Sequence, residues 1–338
     1  MKKLLFISFL LALVSCEPEE STGVYKPISI GTQGRIDVIM PSVLWNGRLG
    51  EIVKEKVAPL IEYYPNEEYL FDLVQSTKSQ FQSGSKKQKN LLEFEITTHD
   101  QIEPGLKYSS DIWASDQAMA KIIGKNQQDL YDIFMANSQE IQDYFMDLEI
   151  KRMKVKLLRS KNHISEKELL KKHHLSVTVP NEMVLSINND HFAAFQQKRL
   201  VTEQNTTAGD LQQFVIIYDY PYTSREQLTK ENLLQKRDSV VKQYFKGKNE
   251  DSYRITATDS LVLSFAKENL FKVNYAYEII GLYSMVNEFR GGPFINISLI
   301  DEKRGRIVTL EGHLFAPKFS KRPYMMELET ILNTLYIE

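Results

Sequence analysis

The chain has 338 residues, 42% hydrophobic and 25% charged, with 42 Lys and Arg against 44 Asp and Glu and a single Cys. This composition excludes collagen-like, coiled-coil and disordered chains, and one Cys builds neither an internal disulfide nor a Cys-based zinc or iron–sulfur site. A formal charge of −2 gives no basic face with which to displace counterions from phosphates, so no nucleic acid is expected as a partner.

Met1-Lys2-Lys3 is followed by an apolar run from Leu4 to Val14, 11 residues long. A bilayer span needs about 20 residues, so the run reads as the hydrophobic region of a secretory signal. Leu13-Val14-Ser15-Cys16 resembles the bacterial lipobox, in which a small residue precedes a Cys that receives diacylglycerol and becomes the mature N-terminus. The single Cys of the chain stands at the correct end of the apolar run. Residues 1–15 are therefore expected to be a lipoprotein signal peptide and Cys16 the lipid attachment site, with a membrane held through N-terminal acyl chains. Residues 16–29, opening with Glu17-Pro18-Glu19-Glu20, are expected to form an acidic tether with a reach of about 20 Å. The acids resemble the surface-export signal of Bacteroidota lipoproteins, and a plain solvated spacer accounts for them equally well.

Alternation over Arg35 to Met40 predicts a strand, and the spacing of Leu49, Ile52, Val53, Val57, Leu60 and Ile61 predicts a helix over 46–61. Strands are predicted at 69–74, 91–97 and 107–113. The stretch Gln127 to Lys161 carries the strongest helical period, with Phe134, Ile141, Leu148 and Val155 recurring every seven residues and Asn126 and Asp129 spaced as an N-terminal cap. Polar residues 160–162 divide the body into an expected N-terminal α+β module, 30–162, and a C-terminal α+β module, 163–338. The second opens on a short helix from Ser165 to His174. Strands at 183–187, 192–200 and 213–218, an amphipathic helix over 225–245 and a strand at 253–256 follow. Long antiparallel strands at 273–289, 294–300 and 307–315 come next, with Asp301 to Gly305 as a hairpin turn, and a helix over 323–336 closes the chain. Hairpins rather than regular crossovers give the α+β class: antiparallel sheets with packed helices, compatible with two similar β-plus-helix modules.

No phosphate loop, dinucleotide fingerprint, nucleophile elbow or zinc-protease frame occurs, so no catalytic residue, metal or cofactor is assigned. Ser83 and Lys86 have an S-x-x-K spacing but stand in a polar loop without its companion motifs. Adjacent His173 and His174 point about 100° apart on a helix and cannot share an ion; they read as surface or helix-end residues. Glu311 and His313 fall on one side of a predicted strand. That placement suits acid–base work, but it reads first as a solvent-facing polar stripe, as Lys318, Lys321 and Arg322 read as a solvated basic loop. Arg290-Gly291-Gly292-Pro293 reads as a tight connection between long strands, with a backbone-lined anion or ligand site carrying the Arg290 charge as the alternative. Tyr218, Tyr220 and Tyr222 alternate at a strand end, where such rings stack on sugars. The ligand-site candidates are thus Arg290, Gly291, Gly292 and Tyr220.

Leu13-Val14-Ser15-Cys16, Arg237-Asp238-Ser239, Gly291-Gly292-Pro293-Phe294, Glu311-Gly312, Ala316-Pro317, Lys321-Arg322 and Glu327-Leu328-Glu329 together resemble the Bacteroidota lipoprotein family known as domain of unknown function 4837. The resemblance is densest after about Tyr218 and departs from the family pattern near Tyr283, where a Trp is usual, and near Arg290, where a Met is usual. It implies a lipid-anchored envelope protein and brings no catalytic residue. The expectation is a protein of the cell envelope, anchored at the outer membrane, that binds or scaffolds an envelope protein or glycan. The alternative is a lipid-anchored envelope hydrolase acting on glycan or peptide.

Overall fold

Two sheets, each with its own hydrophobic core, organise the residues described by the computed structural model, 25–81, 84–202, 208–249, 251–257, 260–267 and 275–338. Residues 1–24, with the lipobox, Cys16 and the start of the tether, lie outside the described residues, as do Ser83 and Val273.

The first sheet begins with β1 (Arg35–Ile39), then α1 (Ser42–Trp45) and α2 (Arg48–Val57), β2 (Asp72–Ser76), β3 (Asn90–Ile96), β4 (Gly105–Ser110), β5 (Ala118–Gly124) and α3 (Gln127–Arg159). Its strand order is β2-β1-β3-β5-β4. Three pairings are parallel and only β4–β5 is antiparallel. The expected α+β class holds, and this smaller sheet is mixed. A parallel β1–β2 pair requires a crossover, and α1 and α2 supply it. The sequence reading missed β5. Six of its seven residues are buried, so both faces are apolar and no alternation shows.

Asn126 caps α3 as expected, its side chain accepting from the Asp129 amide at 3.0 Å. The helix then runs unbroken for 33 residues, about 50 Å. Leu130, Phe134, Ile141 and Phe145 pack from it onto Ile36, Val38, Leu92 and Ile122 of the sheet.

The second module starts at α4 (His163–His173), capped by Asn162, and continues through β6 (Leu175–Ser176), β7 (Val184–Asn189), β8 (Phe192–Val201) and β9 (Gly209–Pro221). Then come α5 (Lys230–Tyr244), β10 (Arg254–Thr256), β11 (Leu263–Lys267), β12 (Ala276–Met285), β13 (Glu288–Asp301), β14 (Arg306–Phe315), α6 (Arg322–Leu332) and β15 (Tyr336–Ile337). The main sheet is antiparallel, in the order β10-β12-β13-β14-β9-β8-β7, with β11 also on β12. One face carries Ile295, Ile297, Leu299, Leu310 and Leu314 against Met325, Leu328 and Leu332 of α6 and Leu169 of α4. The other carries Ile279, Tyr283, Phe294, Ile300 and Ile307 against Leu233 of α5, and Phe192, Ile216 and Tyr218 against Val241. Helices thus cover both faces.

Arg290-Gly291-Gly292-Pro293 is no connection. It lies inside β13, and the chain turns earlier, at Asn287, whose φ is 58°. The glycines serve close approach: a Cβ on Gly291 would stand 2.6 Å from the Tyr283 carbonyl oxygen, and one on Gly292 2.0 Å from that of Leu314.

The basic loop is also corrected. Lys321 and Arg322 are buried where the modules meet. The Glu68 carboxylate accepts the Lys321 amide at 2.7 and 2.8 Å and the Arg322 amide at 2.9 Å, which satisfies free N–H groups at the start of α6. The Arg322 guanidinium reaches back to Asp72 and, at 2.7 Å, to the Tyr69 carbonyl.

Candidate functional site

Chemistry-bearing side chains converge between α5 and the second sheet. Glu311 and His313 are two residues apart on β14 and project to the α5 face, both 0% exposed. They form no solvent stripe, and the sequence reading is corrected on this point: α5 lies over them. Arg237, 1% exposed, descends from α5 and donates Nε to Glu311 Oε1 at 2.8 Å. Its Nη1 donates to Asp238 Oδ1 at 2.9 Å and Thr256 Oγ1 at 3.0 Å. Asn296, opposite Glu311 on β13, donates to Glu311 Oε2 at 2.8 Å.

His313 bridges this pair to a second guanidinium. Arg254 Nη1 donates to His313 Nδ1, and His313 Nε2 meets Glu311 Oε1. An arginine nitrogen only donates, so Nδ1 is the acceptor and the ring proton sits on Nε2. The imidazole is therefore neutral. Burial, with the nearby Arg254 and Arg237 charges, lowers its pKa to about 4 against the pull of Glu311. Burial alone would raise the Glu311 carboxyl, but Arg237, His313 and Asn296 outweigh it and hold the carboxyl well below the usual range. Aromatic faces complete the enclosure. Arg237 lies 3.7 Å over the Phe294 ring, and Arg254 lies 4.2 Å from Tyr283 and 4.5 Å from Phe245.

Every charge here has an opposite charge or a ring beside it, and no surface opens on the Glu311–His313 pair. Such an arrangement pins α5 and β10 to the sheet.

The concave surface lies elsewhere. In the first module β4 is an outer strand, hydrogen-bonded among the described strands only to β5. α3 passes beside it, with the Tyr108 and Tyr144 rings 4.3 Å apart. Between them runs an open groove of about 630 Å³, lined by Leu106, Tyr108, Asp132, Ile133, Ala136 and Glu140, among others. Burial and a hydrogen bond to Glu140 raise the Tyr108 phenol pKa. A smaller cavity of about 80 Å³ lies at the module junction among Tyr63, Tyr64, Ile280, Arg322, Met325 and Glu329. There burial, then Glu329 and Glu278, push the Tyr63 phenol up to about 12.

The sequence candidates do not form one site. Arg290 donates to Gln212 at 3.3 Å and lies over the Phe315 ring, while Gly291 and Gly292 are filled in by neighbouring strands. Tyr220 pairs in register with Ile307, whereas Phe294, just after the glycines, pairs with His313. That places Tyr220 roughly 26 Å along the strands from Gly292. Its ring carries Lys236 at 4.7 Å. His173 is buried and hydrogen-bonded to Asn188 at 2.8 Å rather than lying at the surface. Sequence reasoning missed Arg254 and the closure of Arg237 onto Glu311. The available signal was Arg237 itself, a charge on the apolar side of an amphipathic helix beside Leu233 and Val241.

Comparison with known proteins gives two family models. One described as a domain of unknown function (DUF4837) matches residues 162–334, and another domain of unknown function (DUF8532) matches residues 29–158. No curated protein matches. Among solved structures, the chain is similar to the Ran-binding protein Mog1p of Saccharomyces cerevisiae at 9% identity and a TM-score of 0.32, over 48% of this chain and 90% of that one. It is similar to PsbP of Synechocystis at 12% identity and a TM-score of 0.32, over 49% and 88%.

Proposed function

The chain belongs to the DUF4837 family, and from that premise we propose that it is a lipid-anchored protein of the cell envelope that works by binding a partner. Cys16 carries the acyl chains, the anchoring membrane is the outer membrane of a Bacteroidota-type envelope, and the residues after Cys16 tether the folded body to it; the tether expected over 16–29 is shorter than that, because Pro27 and Ser29 are hydrogen-bonded to Ser115 of the first module at 2.9 and 3.0 Å. The partner is an envelope protein or glycan.

One observation carries the binding reading. The titratable groups that converge, Arg237, Glu311 and His313, are enclosed, whereas a ligand-sized concavity among the described residues is a strand-edge groove. The groove carboxylates Asp132 and Glu140 stand eight residues apart on α3, about 12 Å of helical rise.

The anchor is tested by mass spectrometry of the native N-terminus and by detergent-phase partitioning of Cys16→Ser. A diacylated Cys16, and loss of the variant from the detergent phase, are the expected results. An unprocessed N-terminus or a free thiol rejects the anchor. Binding is tested by capture from envelope fractions with the anchor intact. One stoichiometric partner is expected, and turnover of envelope glycans or peptides in its absence would favour the hydrolase.

A further inference from the structure

We infer that the groove between β4 and α3 docks an extended, basic segment of a partner polypeptide, which adds as a strand to β4. This rests on the binding reading and names the chemistry of the partner.

The first ground is the edge itself. β4 bonds to β5 on one side only, and its four residues from Lys107 to Ser110 are exposed. A strand edge offers a row of backbone donors and acceptors, and proteins ordinarily blunt it with bulges, prolines or covering elements. The outer strand β7 shows such treatment: its register slips between Leu185 and Ile187, and Lys172 of α4 donates to the Asn188 carbonyl at 2.7 Å. β4 has a regular register over all six residues and no proline within it. Its one charge, Lys107, pairs in register with Lys121 and alternates with the groove-lining Leu106 and Tyr108, so it stands on the face away from α3.

The second ground is what an added strand would meet. Side chains on its α3 side would pass over Ile133 and Ala136, with Asp132 at one end and Glu140 at the other. Asp132, Glu140 and the next acid, Asp143, are exposed, and no salt bridge among the described residues occupies any of them. The spacing is specific. Asp132 and Glu140 are separated by about 12 Å of helix. Two side chains on the same face of a strand, four residues apart, are separated by about 13 Å. A segment of the pattern basic-x-apolar-x-basic therefore sets a cation at each carboxylate and an apolar side chain over Ala136, while its backbone completes the β4 edge. This is strand addition beside a helix-lined groove, in which main-chain bonds give affinity and alternate side chains give selectivity.

The test uses the whole soluble body and three labelled ten-residue peptides. One has lysine at its third and seventh positions and valine at the fifth; a second has glutamate in place of both lysines; a third moves the second lysine to the sixth position, onto the opposite face. The in-register lysine peptide is expected to bind about tenfold more tightly than the glutamate peptide, the yield of two exposed ion pairs, and about threefold more tightly than the third peptide, which keeps one of them. The charge reversal Asp132→Lys with Glu140→Lys is expected to invert the preference between the lysine and glutamate peptides. Hydrogen exchange should show new protection at alternate amides of residues 105–110. Equal binding of the three peptides, indifference to the charge reversal, or protection away from β4 overturns the inference. A partner captured from the envelope by the charge-reversed protein as well as by the parent overturns strand addition and leaves the binding reading standing. Failure of that reading shows separately, as substrate turnover.

Discussion

The second sheet buries two guanidiniums, a carboxylate and an imidazole beneath α5, whereas the first leaves Asp132, Glu140 and Asp143 in water beside a strand with one open edge among the described residues. The difference lies in what surrounds the charge. Glu311 accepts three hydrogen bonds, and aromatic rings face both arginines, so the charges of that cluster hold one another in place. The α3 carboxylates accept single bonds at the surface, from Gln128 to Asp132 at 2.8 Å, from Gln139 to Asp143 at 2.9 Å and from Tyr108 to Glu140. Buried charge held by a carboxylate or a ring serves the fold, even with Arg237 Nη2 and Arg254 Nε left without a hydrogen-bond partner, and exposed charge beside open backbone is free to serve a ligand.

The most direct way to break this comparison is to remove one member of the cluster. Glu311→Ala leaves Arg237 with Asp238 alone and Arg254 with no carboxylate beside His313, and a buried pair broken on one side costs about 3–5 kcal/mol. Urea unfolding should show that loss. Combining it with Arg237→Met removes opposite charges together, so the double variant should lose less than the sum of the singles. Additive losses would mean that the two side chains do not act on each other.

A smaller effect follows from the neutral imidazole. The groups facing His313 are Glu311 on its own strand, Arg237 from α5, Arg254 from β10 and Tyr283 from β12. In the unfolded chain His313 titrates near 6.5; in the folded one it titrates near 4. Between these values the unfolded state binds more protons, so stability falls as pH falls through the window and is fully present above it. The loss is about 3 kcal/mol by pH 4. Glu311 stays charged through most of that window because its own pKa is held low. The pH dependence of the unfolding free energy should flatten between pH 6.5 and 4 in His313→Gln. An unchanged slope would show that His313 is not the group responsible.

What was legible in the sequence follows the same division. Periodic segments were readable where one face met the core and the other met water, as in α3. β5 was not, because a strand buried on both faces carries no alternation. Arg290 to Pro293 looked like a turn because glycine and proline usually mark one. Here the glycines answer to carbonyl oxygens of β12 and β14, which are distant in sequence. Glu311 and His313 were visible as a pair sharing a side. Their burial was not, because it depends on an arginine 74 residues earlier in the chain. The groove was hidden for a related reason: an edge strand looks like any other until its neighbours are known.

The smallest expected effect sharpens the contrast most. Asp132→Lys with Glu140→Lys reverses two charges, more than Glu311→Ala removes, yet its cost in stability should lie within about 0.5 kcal/mol. Both side chains are exposed and neither is in a salt bridge among the described residues. The bonds given up, from Gln128 to Asp132 and between Glu140 and Tyr108, lie at the surface, where water replaces them. A thermal midpoint close to that of the parent would separate the two modules by environment rather than by number of charges. A loss of about 2 kcal/mol or more, on the scale of a buried group, would mean that the α3 acids hold β4 in place, and the groove would then belong to the fold as the Arg237–Glu311 cluster does.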